Sequence, residues 1–419
     1  MRGANSVTGK VVEKFLTSKL SVLFIIAALG AGAVGFLRTP REEEPQIVVP
    51  MVDVYLSFPG APAEEVEKLV TTSLETKLLE IEGVEHVYSM TRAGEAVVSL
   101  RFIVGRNRED ALTNTMAKIS GYVDEVPPGL AGWIVKPIDV DDVPILTLAF
   151  SSGERDDFEL RRIADEVVDN LQRVPNSSKS YVVGGRRRQV RVVLDPEAMT
   201  ARGISPLDLV KALGGANVAR RIGPIEEGNR EILVEAGPVL RDASEVESVV
   251  VSAAGGRLVY VKDLATVIDG PAEPETYSRI GWGPSAERAH DREGGPDVPE
   301  EASVTIAVAK RKGTNAVWVA RDVISTVGEL RDAGAIPADV AVTVTRNYGE
   351  SADEKVNELA GHILVAVITV VVIIILGLGW RSALVVALAV PLTFSIALAA
   401  DLIVGYTINR VTLFALVLS

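Results

Sequence analysis

Apolar runs constrain this chain more than any other feature of its sequence. Eighteen uncharged residues lie between Lys19 and Arg38, and as an α-helix they would reach roughly 27 Å, about the thickness of the hydrocarbon core of a bilayer. Three later runs cover Ile363 to Trp380, Ser382 to Ala400 and Val411 to Ser419. The last run has nine residues, which are too few to cross a bilayer. We therefore expect the N-terminal piece of a longer membrane protein, ending inside a fourth span.

The first run could instead be a cleaved signal peptide, because basic residues precede it and small residues end it. These basic residues are Arg2, Lys10, Lys14 and Lys19. The run is longer than the ~7 to 15 residues of a usual signal peptide core, and the later runs make the protein integral in either case. The basic flank predicts a cytoplasmic N-terminus, an exported middle segment and a cytoplasmic turn at Gly379–Ser382.

The net charge differs between the two ends of the chain and its middle segment. Residues 1–38 carry a net charge of +4, residues 39–360 of −18 and residues 361–419 of +1. A middle segment this acidic repels phosphate backbones, so no nucleic-acid partner is expected. The chain has no cysteine, which excludes thiolate catalysis, disulfides and cysteine metal sites.

Residues that could catalyse or bind metal are scattered. The three histidines are His86, His290 and His362. They fall in a predicted strand, a loop and the start of a span, so we predict no metal site, no cofactor and no enzymatic activity. Asp139–Asp142 is interpreted as a solvated linker rather than a cation site, and Arg186–Arg188 as an exposed hairpin tip rather than an anion site.

Two residues interrupt the apolar pattern of the third run and its end. Pro391 removes a backbone hydrogen bond and can kink the span, although a static bend would explain it equally well. A carboxylate inside a membrane is a candidate for coupling. Asp401 lies at the margin of its run, where water and headgroups can solvate it, so we predict an interfacial residue.

The exported segment repeats one order of elements. The first copy is predicted as strand Gln46–Phe58, helix Ala63–Glu80, strands Val84–Thr91 and Glu95–Val104, and helix Asn107–Val123. The second is predicted as strand Ile145–Ser151, helix Phe158–Val174, and strands Lys179–Val183 and Gln189–Leu194. Matching points lie 92 or 93 residues apart, as from Phe58 to Phe150 and from Tyr88 to Tyr181. This predicts a duplicated strand-helix-strand unit with a cleft between the copies.

A third small domain is predicted inside the second copy. Asp195-Pro196 and Ser205-Pro206 each set a capping residue before a proline, which starts a helix. A link at Gly214–Gly215 and a hairpin around Arg220–Arg230 follow, and Gly283–Pro299 is predicted as a mobile loop. The second copy then ends with strand Ser303–Ala309, helix Thr314–Arg331 and strand Asp339–Thr345, before a helix that runs from Ser351 into the second span.

Several motifs in this order resemble the N-terminal half of a resistance-nodulation-division (RND) efflux permease of the hydrophobe and amphiphile type. They are Glu44–Ile47, Phe58–Glu67, Leu79–Tyr88, Asp141–Ile145, Lys310–Val317, Leu378–Arg381 and Gly405–Leu418. The resemblance covers nearly the whole chain. It implies an α+β membrane protein with transmembrane helices, periplasmic porter subdomains built from ferredoxin-like strand-helix-strand modules, and an inserted docking subdomain.

The resemblance also implies domain boundaries. Residues 1–38 would form the cytoplasmic N-terminus and first span, 39–138 the first porter subdomain, 139–188 with 270–345 the second, 189–269 the docking subdomain, and 346–419 the helix into spans two, three and four. The helix carrying Asn107, Asn114 and Lys118 would line a central pore. The hairpin carrying Arg220, Arg221 and Glu226 would dock, although it is shorter than the arm of typical multidrug members.

The implied function is proton-motive-force-driven efflux from the bacterial inner membrane by a secondary transporter. Expected partners are two further copies in a homotrimer, a periplasmic adaptor protein, the lipid bilayer and, in some systems, an outer-membrane channel. The family's proton relay is expected beyond Ser419, with none in this chain. An RND-type metal exporter, or a membrane-anchored periplasmic adaptor or sensor without transport, are the alternatives left open.

Overall fold

A computed structural model describes most of the chain, in two compact units. It describes residues 18–45, 47, 49–122, 125, 127–139, 142–236, 239–254, 257–284 and 299–418, with only the backbone for 220–222, 227, 233–236, 254 and 416–418. Unit 1 comprises Met1–Phe150, Ala164–Val183 and Thr305–Ser419, and unit 2 comprises Ser151–Ile163 and Gly184–Val304. Asp141, His290 and most of the predicted mobile loop lie outside the described residues.

The first module of unit 1 is a four-stranded antiparallel sheet with two helices. Its elements are β1 (Met51–Ser57), α2 (Ala63–Val66 and Thr72–Leu79 around a π-helical turn, Glu67–Thr71), β2 (Val84–Arg92), β3 (Glu95–Phe102), α3 (Arg108–Ser120) and β4 (Gly132–Ile138). The strands lie in the order β2-β3-β1-β4, and Val54 of β1 pairs with Val98 on one side and Val135 on the other. The predicted elements are confirmed, with a shorter first strand and ends displaced by a few residues.

The core of this module is formed by one face of β1 and one face of α2. The spacing of Val66, Leu69, Val70, Leu74 and Leu78 in the sequence predicts one apolar stripe along α2. Val66 and Leu78 of this stripe are fully buried, and so is Val54. Leu69 was assigned to the same stripe, but it is 47% exposed. The π-helical turn explains this error, because its wider i to i+5 winding places Val70 and Thr71 on the buried face and leaves Leu69 exposed.

A second module repeats the topology of the first. Its elements are β5 (Pro144–Ser152), α4 (Asp157–Leu171), β6 (Ser177–Val183), β14 (Glu301–Lys310), α8 (Ala316–Asp332) and β15 (Ala341–Asn347). The strand order β6-β14-β5-β15 matches β2-β3-β1-β4 strand for strand, with Ile306 opposite Val182. The chain between β6 and β14 forms most of unit 2.

The strand predicted at Gln189–Leu194 does not belong to this repeat. It is β7 (Arg188–Leu194), which pairs with β12 (Ala265–Pro271), so that Val192 lies opposite Val267. Because β6 and β7 have different partners, Arg186–Arg188 is not a hairpin tip as predicted. Arg186 instead donates to Asp157 at 2.8 Å and to Asp156 at 3.0 Å.

Unit 2 has a small core of its own between short elements. Besides β7 and β12 these are α5 (Pro196–Arg202), α6 (Pro206–Ala216), β8 (Arg220–Glu227), β9 (Arg230–Ala236), α7 (Ala243–Glu247), β10 (Val250–Ala254) and β11 (Arg257–Tyr260). The short strand β13 (Arg279–Ile280) instead pairs with β14, with Arg279 opposite Ala302, as a fifth strand of the sheet of the second module. Asp195 and Ser205 cap α5 and α6 as predicted, each accepting from backbone N–H groups. Gly214–Gly215 is helical in α6, so the predicted link is wrong.

Within the part of the chain that the structure describes, three helices are long and apolar enough to cross a membrane. They are α1 (Leu20–Arg38), α9 (Tyr348–Leu378) and α10 (Trp380–Val404), with mean hydropathies of 2.4, 3.0 and 2.4 over their most apolar stretches. A further helix, α11, covers Arg410–Leu418. Strand β15 ends at Asn347, whose side chain caps α9, so the sheet of the second module continues into an apolar helix without a linker.

Candidate functional site

Helix α3 carries the three residues predicted to line a pore. Asn107 is its N-cap, because its side-chain oxygen accepts from the backbone N–H of Glu109 at 2.7 Å. Lys118 donates to Glu80 at 2.7 Å, and this hydrogen bond lowers the pKa of Glu80 and raises that of Lys118. Asn114 is exposed. Two of the three residues therefore have roles within their own module, and Asn114 is the one directed away from it.

The predicted docking hairpin is the isolated pair β8 and β9 in unit 2. Arg220 lies opposite Ala236, Arg221 opposite Glu235 and Glu226 opposite Glu231. The connecting residues Gly228 and Asn229 both have positive φ, 58° and 61°, as a type I′ turn requires. Glu226 is exposed, whereas the side chains of Arg220 and Arg221 lie outside what the structure describes. A cross-strand pair, Ile225 and Ile232, is 56% and 48% exposed.

A buried ion pair lies where the second module meets the apolar helices. Lys310, the last residue of β14, donates to the Oε1 atom of Glu42, which follows α1. Both residues are 3% exposed. The hydroxyl of Thr407, between α10 and α11, donates to the Oε2 atom of Glu42 at 2.9 Å. Each carboxylate oxygen of Glu42 thus binds a different part of the chain.

Backbone hydrogen bonds join the same segments. The N–H of Glu42 donates to Ile408 at 3.0 Å, and the N–H of Ile408 donates to Pro40 at 2.8 Å. The N–H of Ala316, the first residue of α8, donates to Arg41 at 3.0 Å. We call this cluster, Pro40–Glu42, Lys310, Ala316 and Thr407–Ile408, the junction.

Arg41 adds helix α9 to the junction. Its guanidinium donates to Asp353 of α9 at 2.5 Å and to Asn357 at 3.2 Å. It also lies over the ring of Phe36, 4.9 Å from the centroid. The last turn of α1 and the first turns of α9 are therefore held together by one side chain.

Sequence reasoning missed the junction. The segments beginning at Glu44 and at Lys310 were noted separately as motifs, but Glu42 and Lys310 are 268 residues apart. The one available signal was a lysine that ends an otherwise apolar strand, Ser303–Ala309, because a charge next to buried positions requires a partner.

The apolar helices α1 and α10 pack closely through glycine. Gly32 and Gly35 are the buried residues of α1. A Cβ atom added at Gly32 would lie 2.2 Å from the Cβ of Ser395, and one at Gly35 would lie 2.7 Å from the carbonyl oxygen of Leu398. Asp401, which is predicted to be interfacial, lies in the last turn of α10.

Possible metal ligands do not converge in the described part of the chain, where no three His, Asp or Glu side chains are placed to hold one ion. His86 lies beside Tyr88, with ring centroids 5.8 Å apart. Asp139 forms an ion pair with Arg108, and Asp142 with Lys179 at 3.6 Å. These carboxylates are engaged by basic side chains of the same unit.

Comparison with known proteins identifies the family of this chain. The model of the AcrB/AcrD/AcrF family matches residues 13–419. The chain belongs to this family. The resemblance to RND permeases that the motifs indicated is therefore confirmed.

Similar curated proteins include the multidrug resistance protein MdtC of Cronobacter sakazakii, which is 26% identical over 95% of this chain and 37% of the relative. MdtC of Pectobacterium atrosepticum is 23% identical over 98% of this chain and 38% of the relative. MdtC of Escherichia coli O139:H28 is 23% identical over 95% of this chain and 37% of the relative, so the chain spans under two fifths of the length of these relatives.

Proposed function

We propose that this chain is part of an inner-membrane permease that exports hydrophobic or amphiphilic compounds, driven by the proton-motive force. Family membership and the names of the curated relatives, all multidrug resistance proteins, support a secondary transporter of organic compounds over a metal exporter or an adaptor without transport. The permease would work as a homotrimer with a periplasmic adaptor protein.

The observation that carries the proposal is the continuity of β15 and α9. A strand of the second module passes without a linker into a helix whose most apolar stretch has a mean hydropathy of 3.0, and that helix packs on α8 of the same module. A Cβ atom at Gly349 would lie 2.6 Å from the carbonyl oxygen of Ala316, so the helix and the module are in close contact at this point. A change in the module's position would therefore move an apolar helix, as an exporter that couples two compartments requires.

The remaining assignments form part of the same proposal. The two modules would be the porter subdomains (39–138, and 139–188 with 270–345) and residues 189–269 the docking subdomain. Their shared β-α-β-β-α-β order supports the ferredoxin-like interpretation. Asn114 would face the pore of the trimer, and the exposed pair Ile225 and Ile232 would give the docking hairpin its contact surface.

Reporter fusions test the proposed topology. Fusions at residues 10 and 381 should report the cytoplasm, and fusions at residues 100, 200 and 300 the periplasm, because basic flanks stay inside. A cytoplasmic signal at residue 200 would refute the topology.

Dye efflux from cells that express the intact transporter tests the energy source. Efflux should stop when an uncoupler collapses the proton gradient while ATP is maintained. Efflux that survives the uncoupler and stops when ATP is depleted would contradict proton coupling.

Cysteine cross-linking tests the pore assignment, and this sequence has no cysteine of its own. An Asn114→Cys variant should form disulfides between copies upon mild oxidation, because residue 114 would approach the threefold axis. Ala111→Cys is the matched control, since Ala111 lies one turn away on the same helix and is 3% exposed within its module. Equal cross-linking of the two variants would argue against a pore lined by α3.

A further inference from the structure

We infer that Glu42, Lys310 and Thr407 are positioning residues that fix the start of α11 to the end of β14, so that the second module and the apolar helices move together. The role in movement rests on the proposed function, whereas the positioning itself does not. Glu42 is the centre, because one carboxylate oxygen binds the strand through Lys310 and the other binds the segment before α11 through Thr407.

Burial shows that this pair is not explained by stability alone. Both partners are 3% exposed, and removing two charges from water costs about as much free energy as their attraction returns. Apolar residues of similar volume would fill such a site at least as well. Charged hydrogen bonds differ from apolar contacts in being directional and short, so they fix the relative position of the groups that they join.

Further hydrogen bonds fix the position of the segment that precedes α11. Ile408 exchanges backbone hydrogen bonds with Pro40 and Glu42 at 2.8 and 3.0 Å. Asn409 is 2% exposed and caps α11 by accepting from the N–H groups of Val411 and Thr412, both at 3.0 Å. Hydrogen bonds to Pro40 and Glu42 therefore fix the position of the segment at which α11 begins. Because Lys310 binds Glu42, a displacement of β14 would also displace the N-terminus of α11.

Neutral replacements distinguish positioning from stability. Lys310→Met alone should lower the abundance of the intact permease, because it leaves a buried carboxylate without its cation. The double variant Glu42→Gln/Lys310→Met leaves no charge and should regain parental abundance and melting temperature. The matched control is Lys355→Met/Glu358→Gln, which removes an ion pair at 2.9 Å whose side chains are 57% and 52% exposed.

Hydrogen exchange gives a readout that does not depend on transport. In the double variant, the backbone amides at positions 42 and 408 should exchange about tenfold faster than in the parent, since hydrogen bonds to a charged group no longer hold the two segments. The control should leave both amides unchanged. Parental exchange at both amides in the folded double variant would overturn the positioning role, whether or not the protein transports.

Transport kinetics test the consequence for function. At equal abundance, the double variant should lose about tenfold or more in maximal export rate with little change in the substrate concentration at half-maximal rate, because the binding surfaces are untouched. Faster exchange with a parental export rate would overturn the coupling and leave the positioning.

A variant that keeps the ion pair covers the case in which the double variant does not fold. Thr407→Val removes the hydroxyl hydrogen bond to Glu42, together with the one that the hydroxyl accepts from the Asn409 amide at 3.2 Å, and is close in volume to the parent. It should accelerate exchange at Ile408 and lower the export rate in the same direction. Parental values for both would overturn the inference.

Discussion

Gly32 offers a sharp test of the packing between the first and third apolar helices. In Gly32→Ala, the new Cβ would lie 2.2 Å from the Cβ and 2.3 Å from the Cα of Ser395, whereas ordinary contact begins near 3.4 Å. Rotation of the serine side chain cannot relieve the clash, because its Cα belongs to the backbone. The helices must therefore separate by about 1.2 Å at this point.

The cost follows from this separation. A gap of about 0.5–1 Å already loses a quarter to a half of the dispersion energy between facing atoms, and overpacking in a tight core typically costs about 1–3 kcal/mol. Apolar helices in a bilayer associate through close packing rather than through a hydrophobic driving force. Gly30 is the matched control, because it lies on the same helix and a Cβ there meets nothing within 4 Å.

Thermal unfolding of the purified, detergent-solubilised protein measures the difference. Both variants gain the same helix propensity from alanine, so their comparison isolates the clash. Gly32→Ala should unfold about 2 °C or more below Gly30→Ala, and Gly30→Ala should unfold at or above the parental temperature. Identical unfolding temperatures for the two variants would refute the close packing at Gly32.

Three further predictions follow from single side chains. Asn107→Ala should lower the free energy of unfolding by ~1 kcal/mol through loss of the α3 cap, and Asn107→Asp should retain it in the same unfolding assay. Asp401→Asn should leave export by the intact transporter within a few-fold of the parent; loss of export at normal abundance would contradict the interfacial interpretation. Arg188 lowers the pKa of Asp269 through a hydrogen bond of 2.8 Å, which stabilises the fold above the unfolded-state pKa of that carboxyl. Arg188→Met should therefore lower the melting temperature at pH 7, and the difference from the parent should shrink as the pH falls through the folded pKa of Asp269; a difference that does not change with pH would contradict this.

Local signals in the sequence predicted much of the fold. The apolar runs, the two helix caps that are followed by proline and the alternation in β1 each depend on neighbours within a few residues, so the element types could be assigned without tertiary information. The offset between copies likewise indicated a duplication, and the matching strand orders of the two modules support it.

The errors share one origin. Gln189–Leu194 alternates like a strand of the repeat, and no local signal shows that it pairs with β12 rather than β6. Leu69 was misplaced because a π-helical turn changes the helical period without an evident sequence signature. Strand partners and small changes of winding are decided by packing that the periodic pattern does not encode.

The division between sequence and structure is clearest at the junction and at Gly32. The sequence by itself determined where apolar helices form and in which order strands and helices follow, because these depend on spacing along the chain. Only the tertiary structure decided that Lys310 meets Glu42, that Thr407 binds the same carboxylate, and that Gly32 rather than Gly30 contacts α10. Such contacts join residues that are far apart in sequence. The structural role of a buried charge or glycine depends on the residues packed around it, which only the tertiary structure shows.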